Sequence, residues 1–156
     1  MRYIFAPFAL TFALLARTAY SDPGAVIVSA NSRVAERDRS LAMQVAEAQL
    51  RAAGWDLVAK PLTAKEIEAI TTCLHDVEAW PCVSRIVGPR GIRRVAAVAL
   101  KRDETVSGTP ELVLTGRLVL ADVTLVVVSR RFCEQCTDDT LTALTTELTT
   151  DLLQKA

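Results

Sequence analysis

The stretch ELVLTGRLVLA, Glu111 to Ala121, is followed by Asp122 and then by TLVVVSRR, Thr124 to Arg131. In the first segment Leu112, Leu114, Leu118 and Leu120 fall on one face with Gly116 between them, and Val113, Thr115, Arg117 and Val119 fall on the other. A period of two is the signature of a β-strand. Asp122 supplies a tight turn, so the two segments are expected to pair as an antiparallel hairpin. Upstream, RVAAVAL (Arg94 to Leu100) is almost entirely apolar, which suits a central strand covered on both faces. The polar segment Asp103 to Pro110 then turns the chain into the hairpin. Downstream, Thr137 is placed to cap a final helix. Asp138 and Asp139 lie in its first turn, favourable against the positive end of the helix dipole, and Leu141, Leu144, Leu148 and Leu152 form its buried stripe.

The first half reads as alternating elements. AVIVSA (Ala25 to Ala30) is a short β-branched run that suits a buried strand. From Glu36 to Ala53, Leu41, Val45, Ala48 and Ala52 recur at helical spacing, and Gly54 supplies the stop. WDLVA (Trp55 to Ala59) offers a second strand. At Thr63 the sequence TAKE is a capping box, with Leu62 placed to staple onto Ile67, and a helix through Ile67, Ile70 and Leu74 follows. Pro81 opens another short helix carrying Cys82, Val83 and Ile86, ended by Gly88 and Pro89. The order predicts an α/β (mixed α+β) fold: one mixed sheet of about five strands with an antiparallel C-terminal meander, flanked by about four helices.

The chain has 156 residues, 51% of them hydrophobic and 23% charged, with 18 basic against 18 acidic side chains. That is the size and composition of one domain able to bury a core without a metal or a dense disulfide framework. The balance of charge gives no electrostatic reason to expect nucleic acid as a partner.

Arg2, the apolar run Tyr3 to Ala16, and the small residues Ala19 and Ser21 form the three-part pattern of a secretory signal peptide, with cleavage expected after Ser21. The run is about 14 residues, short of the roughly 20 that a membrane span needs. The expected division is therefore a leader over residues 1–21 and a single domain over 22–156, periplasmic or secreted. Loss of Arg2 and Arg17 leaves the mature chain at a net charge of −2.

Export bears on the cysteines, because thiols outside the cytosol are commonly oxidised. Four cysteines allow three pairings. Local pairing, Cys73 with Cys82 and Cys133 with Cys136, is preferred. Zinc is the rival for the C-x-x-C at Cys133 and Cys136, with further ligands drawn from Cys73, Cys82 or His75.

The order of strand, helix, strand, later meander and terminal helix, with FCEQC (Phe132 to Cys136) leading into that helix, resembles the small α/β envelope domains typified by the amino-terminal domain of TolB and by the FlgO and CsgG-type proteins. The resemblance covers nearly all of Ala25 to Leu153. It implies a binding or assembly module of the cell envelope without catalytic residues, acting on another envelope protein or on itself.

Sequence motifs for catalysis are sparse. Cys133 and Cys136 could form a thiol-disulfide site, since a helix start stabilises a thiolate. Glu134, Asp138 and Asp139 oppose this by placing negative charge nearby. His75 is the sole histidine, so any triad must use it. Asp56, Glu66, Glu68 and Asp76 form no carboxylate pair that spacing can defend. The segment GPRGIRR adds Arg90, Arg93 and Arg94 to the nearby Arg85, a group able to bind an anion or a partner. The expected function is a non-enzymatic, exported envelope domain with no cofactor, and the alternative is a thiol-disulfide oxidoreductase.

Overall fold

The computed structural model describes residues 22–76, 78–104, 110–121 and 123–155. The expected leader, the Asp122 turn and most of the polar segment after Asp103 lie outside the described residues. Five strands, β1 (Pro23–Ala30), β2 (Asp56–Leu57), β3 (Arg94–Glu104), β4 (Pro110–Leu120) and β5 (Val123–Cys133), form one sheet in the order β2-β1-β3-β4-β5. Four helices flank it: α1 (Glu36–Ala52), α2 (Ala64–Cys73), α3 (Ala79–Val87) and α4 (Asp138–Gln154). This is the mixed sheet and helix complement read from the sequence.

Topology decides which helices cover which face. β1 runs parallel to β2 on one side and to β3 on the other. The crossover through α1 and the crossover through α2 and α3 therefore traverse the sheet in opposite directions. Right-handed connections of opposite direction place their helices on opposite faces. Accordingly Ala25, Ile27, Val95, Ala97 and Val119 pack with Ile70, Val83 and Val87 of α2 and α3. Val28, Val98, Leu100, Leu112 and Leu114 pack instead with Ala42 and Ala46 of α1 and Leu141 and Leu148 of α4. β1, β3 and β4 thus alternate between two cores.

β3 and β4 pair antiparallel over their full lengths, from Arg94 opposite Leu120 to Glu104 opposite Pro110. β3 is longer than RVAAVAL because the ladder continues through Lys101 and Arg102. Gly116 lies where α4 leans on the sheet. A Cβ there would stand 2.7 Å from Leu152 Cδ1 and 3.0 Å from Leu148 Cγ, both on fully buried side chains. Gly116→Val is expected to lower stability by about 1–3 kcal/mol, the usual cost of overpacking a filled core. Urea denaturation followed by circular dichroism measures it, and an unchanged midpoint would refute this packing.

Helix α1 ends as its glycine implied. Gly54 adopts φ 81°, its N–H donates to the Arg51 carbonyl, and the Trp55 N–H donates to the Leu50 carbonyl at 2.9 Å. That is a Schellman stop, closed by the packing of Trp55 in the same cluster as Leu50. The buried stripe of α1 is Ala42, Ala46 and Leu50, displaced from the expected Leu41, Val45, Ala48 and Ala52. The small alanines face inward because α1 packs closely beside α4, while Leu41 and Met43 pack at the margin of that cluster. The second strand contracts to Asp56–Leu57, since its pairing with β1 spans only Pro23 and Gly24.

Candidate functional site

The arginines singled out by sequence are placed differently from one another. Arg90 pairs with Glu66 at 3.5 Å and donates to the carbonyls of Lys60 and Pro61. Arg94 donates through Nε to the Asp22 carbonyl at 2.9 Å and stacks over the Trp55 ring, 4.5 Å from its centroid. Arg93 lies 3.9 Å from the Asp22 carboxylate. These three fasten the start of β1 and the loop before α2. Arg85 is exposed on α3.

The Thr63 capping box forms as read: the Thr63 backbone N–H donates to Glu66, and the Glu66 N–H donates to the Thr63 hydroxyl. Donation from the Thr63 N–H and then from the Thr63 hydroxyl, with Arg90 as a smaller cause, holds the Glu66 carboxyl below its ordinary value. Asp151 is likewise held low, by donation from Lys155 and then from Ser129.

The cysteines lie in the local pairs, with sulfurs at disulfide distance and Cα atoms 5.5 Å apart for Cys73 and Cys82 and 5.4 Å apart for Cys133 and Cys136. Cys73 packs in the core under α2 and α3, whereas Cys133 packs in the core under α1 and α4. The sheet therefore separates the two pairs, and the four sulfurs do not converge on one zinc. Cys133 is buried and Cys136 half-buried just before the α4 cap Thr137. His75 is exposed beyond the end of α2.

One surface was not singled out by sequence. On the face covered by α2 and α3, the outer parts of β3, β4 and β5 lie bare. Cross-strand register builds this patch in three rows: Lys101 with Val113 and Phe132, Ala99 with Thr115 and Arg130, and Arg117 with Val128 beside the buried Ala97. Phe132 is 59% exposed and Val128 46%, the two exposed large hydrophobic side chains among the described residues. A hollow of about 180 Å³ beside the patch is lined by His75, Lys101, Arg117 and Arg130. Lys101 pairs with Asp103 at 2.7 Å. Arg117 and Arg130 have no carboxylate partner among the described residues, and their register makes them diagonal neighbours on adjacent strands. Diagonal cross-strand Cβ atoms lie about 7–8 Å apart, close enough for both guanidiniums to meet one anion.

The opposite side chain of β5 shows the contrast. Arg131 lies 3.5 Å from Glu147 and 3.7 Å from Asp151, both on α4. Its charge is met within the chain, and Arg130 has no such carboxylate among the described residues. A second hollow, about 310 Å³ between α1 and the β2 end, is lined largely by aliphatic groups, and its Glu47 and Arg51 lie 3.9 Å apart as an ion pair. It offers shape without an unmet charge. The chemistry available at the bare face is recognition of an anionic, partly apolar partner.

No protein-family model matches the chain, and no curated protein matches it. Among solved structures, the chain is similar to the PelC dodecamer from Paraburkholderia phytofirmans, with 16% identity over 85% of this chain and 88% of that one and a TM-score of 0.48. It is similar also to the LpoB C-terminal domain from Salmonella enterica, with 12% identity, 74% and 84% coverage and a TM-score of 0.41. A third is the lipoprotein GNA1162 from Neisseria meningitidis, with 10% identity, 86% and 95% coverage and a TM-score of 0.43. Likenesses of this degree say nothing of what this chain binds.

Proposed function

We propose that the chain is an exported, non-enzymatic domain of the cell envelope that works by binding another protein, with its leader removed after Ser21 and its cysteines serving as structural bridges. The observation that carries this reading is the bare face of β3, β4 and β5, where exposed Phe132 and Val128 flank Arg130, which has no carboxylate partner among the described residues. Apolar side chains left in water beside unmatched charge are the usual mark of an interaction surface. The order of elements and the C-x-x-C before α4 support membership among the small envelope domains of the TolB amino-terminal, FlgO and CsgG type.

Burial of Cys133 and the acidic groups around the pair favour a staple over a redox centre. The bridge ties the last residue of β5 to the start of α4, so it holds Phe132 in place. The test is an insulin-reduction assay of the purified mature protein, coupled to thiol trapping in reduced glutathione. Cys133 and Cys136 are expected to stay oxidised and insulin to stay intact. Catalytic reduction of insulin, lost in Cys133→Ser, would overturn the non-enzymatic reading.

A further inference from the structure

We infer that the free edge of β5 takes up one more strand: an extended segment of a partner protein carrying an acidic side chain between two apolar ones at alternate positions. This rests on the binding-domain reading and names the chemistry of the partner.

β5 is last in the sheet, with β4 on one side and no strand on the other among the described residues. The backbone N–H and C=O groups of Val128, Arg130 and Phe132 face away from β4 and form the row open to a further strand, which would displace the 2.8 Å donation from Arg131 Nη1 to the Arg130 carbonyl. Sheet edges are commonly blunted by proline, by a bulge or by a cover. Val123–Cys133 contains neither proline nor glycine. The register shift between β4 and β5 falls at Val119 and Leu120, at the far end from Phe132. The bridge to Cys136 fixes the strand's last residue, which lowers the ordering cost of adding a neighbour.

Period two then specifies the occupant. Side chains of an added strand that point to the bare side stand beside Val128, Arg130 and Phe132. The complementary pattern is apolar, acidic, apolar. A second copy of β5 fits this poorly, because it brings another Arg130 and Arg131 onto the same ribbon, cation beside cation. An acidic partner supplies the charge that Arg130 lacks among the described residues, and Arg117, diagonal to Arg130, strengthens the attraction.

The pattern reads the same in both directions, so one probe tests parallel and antiparallel addition. The acetylated, amidated peptide STVTETVTS, fluorescently labelled, is titrated against the mature protein by anisotropy. Binding is expected, with slowed amide hydrogen exchange in β5. The peptide STVTKTVTS should bind about tenfold more weakly, and the glutamate peptide N-methylated on every amide from its third to its seventh residue, which removes the central donors whichever way the strand runs, should not bind. In Arg130→Glu, an exposed change that leaves the core untouched, the order of the glutamate and lysine peptides should reverse. Absence of binding, binding without protection of β5, or an unchanged order in Arg130→Glu would overturn strand addition while leaving the non-enzymatic reading intact. Concentration-dependent dimerisation by sedimentation, abolished by Phe132→Asp, would overturn it in favour of a second copy. Insulin turnover would instead remove the reading on which the inference rests.

Discussion

Leu118→Asp is expected to unfold the domain. Leu118 is 1% exposed and packs with Leu50, Trp55, Ala96, Val127 and Leu152, where β4 meets α4. A carboxylate at that point has no cation within the cluster. Burying an unpaired charge costs several kcal/mol even after protonation of the group, a large part of the roughly 5–15 kcal/mol that holds an ordinary domain folded. The control is Thr115→Asp, on the opposite face of the same strand and opposite Arg130 in register. Its carboxylate enters the bare patch beside two arginines, so the variant should remain folded. Circular dichroism and gel filtration of the two proteins decide the matter. A folded Leu118→Asp, or an unfolded Thr115→Asp beside it, would mean that the two faces of β4 are wrongly assigned.

Removal of the Cys73–Cys82 bridge is expected to have the next largest effect. It joins the last residue of α2 to the first turns of α3 across a separation of nine residues. Closing a ten-residue loop restricts the unfolded chain by roughly 2.7 kcal/mol in the chain-entropy model. The bridge also lies within the only core under α2 and α3 that the described residues form, with Cys73 buried and Cys82 at its margin. The double variant Cys73→Ala, Cys82→Ala should lose about 2–3 kcal/mol in urea denaturation, with the slope of the transition little changed. The corresponding change at Cys133 and Cys136 should cost less, because so short a loop restricts the unfolded chain little beyond what its own covalent geometry does. Equal stability of the first double variant and the unaltered protein would show that the α2–α3 junction does not depend on its bridge.

How far the fold was legible in the sequence depends on the range of the interaction that sets each feature. The alternation from Glu111 to Ala121, the stop at Gly54 and the capping box at Thr63 are local, and the structure places each where the residues imply. The inward stripe of α1 was misplaced, because inward alanines are selected by the closeness of α4, which is remote in sequence. The bare face was invisible for the same reason. Arg117 and Arg130 stand far apart in the chain and meet only through the β4–β5 register. Phe132 attracts notice in sequence only as the neighbour of Cys133, and its exposure follows from α2 and α3 leaving that end of β5 uncovered. Conversely, clustering in sequence made Arg90, Arg93 and Arg94 conspicuous, yet each is engaged within the chain, at Glu66 or around Asp22. Density of charge along a chain is a poor guide to unmet charge on a surface, because partners arrive from other elements.

The central claim is that this chain is exported, trimmed and stapled by its own cysteines into a binding domain. Intact-mass spectrometry of the protein isolated from its native host, without reductant and with alkylation of any free thiol, tests it most directly. The account requires a chain beginning at Asp22, carrying no alkyl groups, with Cys73 linked to Cys82 and Cys133 to Cys136 in the peptide map. A chain retaining Met1, recovered from the cytoplasm with all four cysteines alkylated, would contradict it.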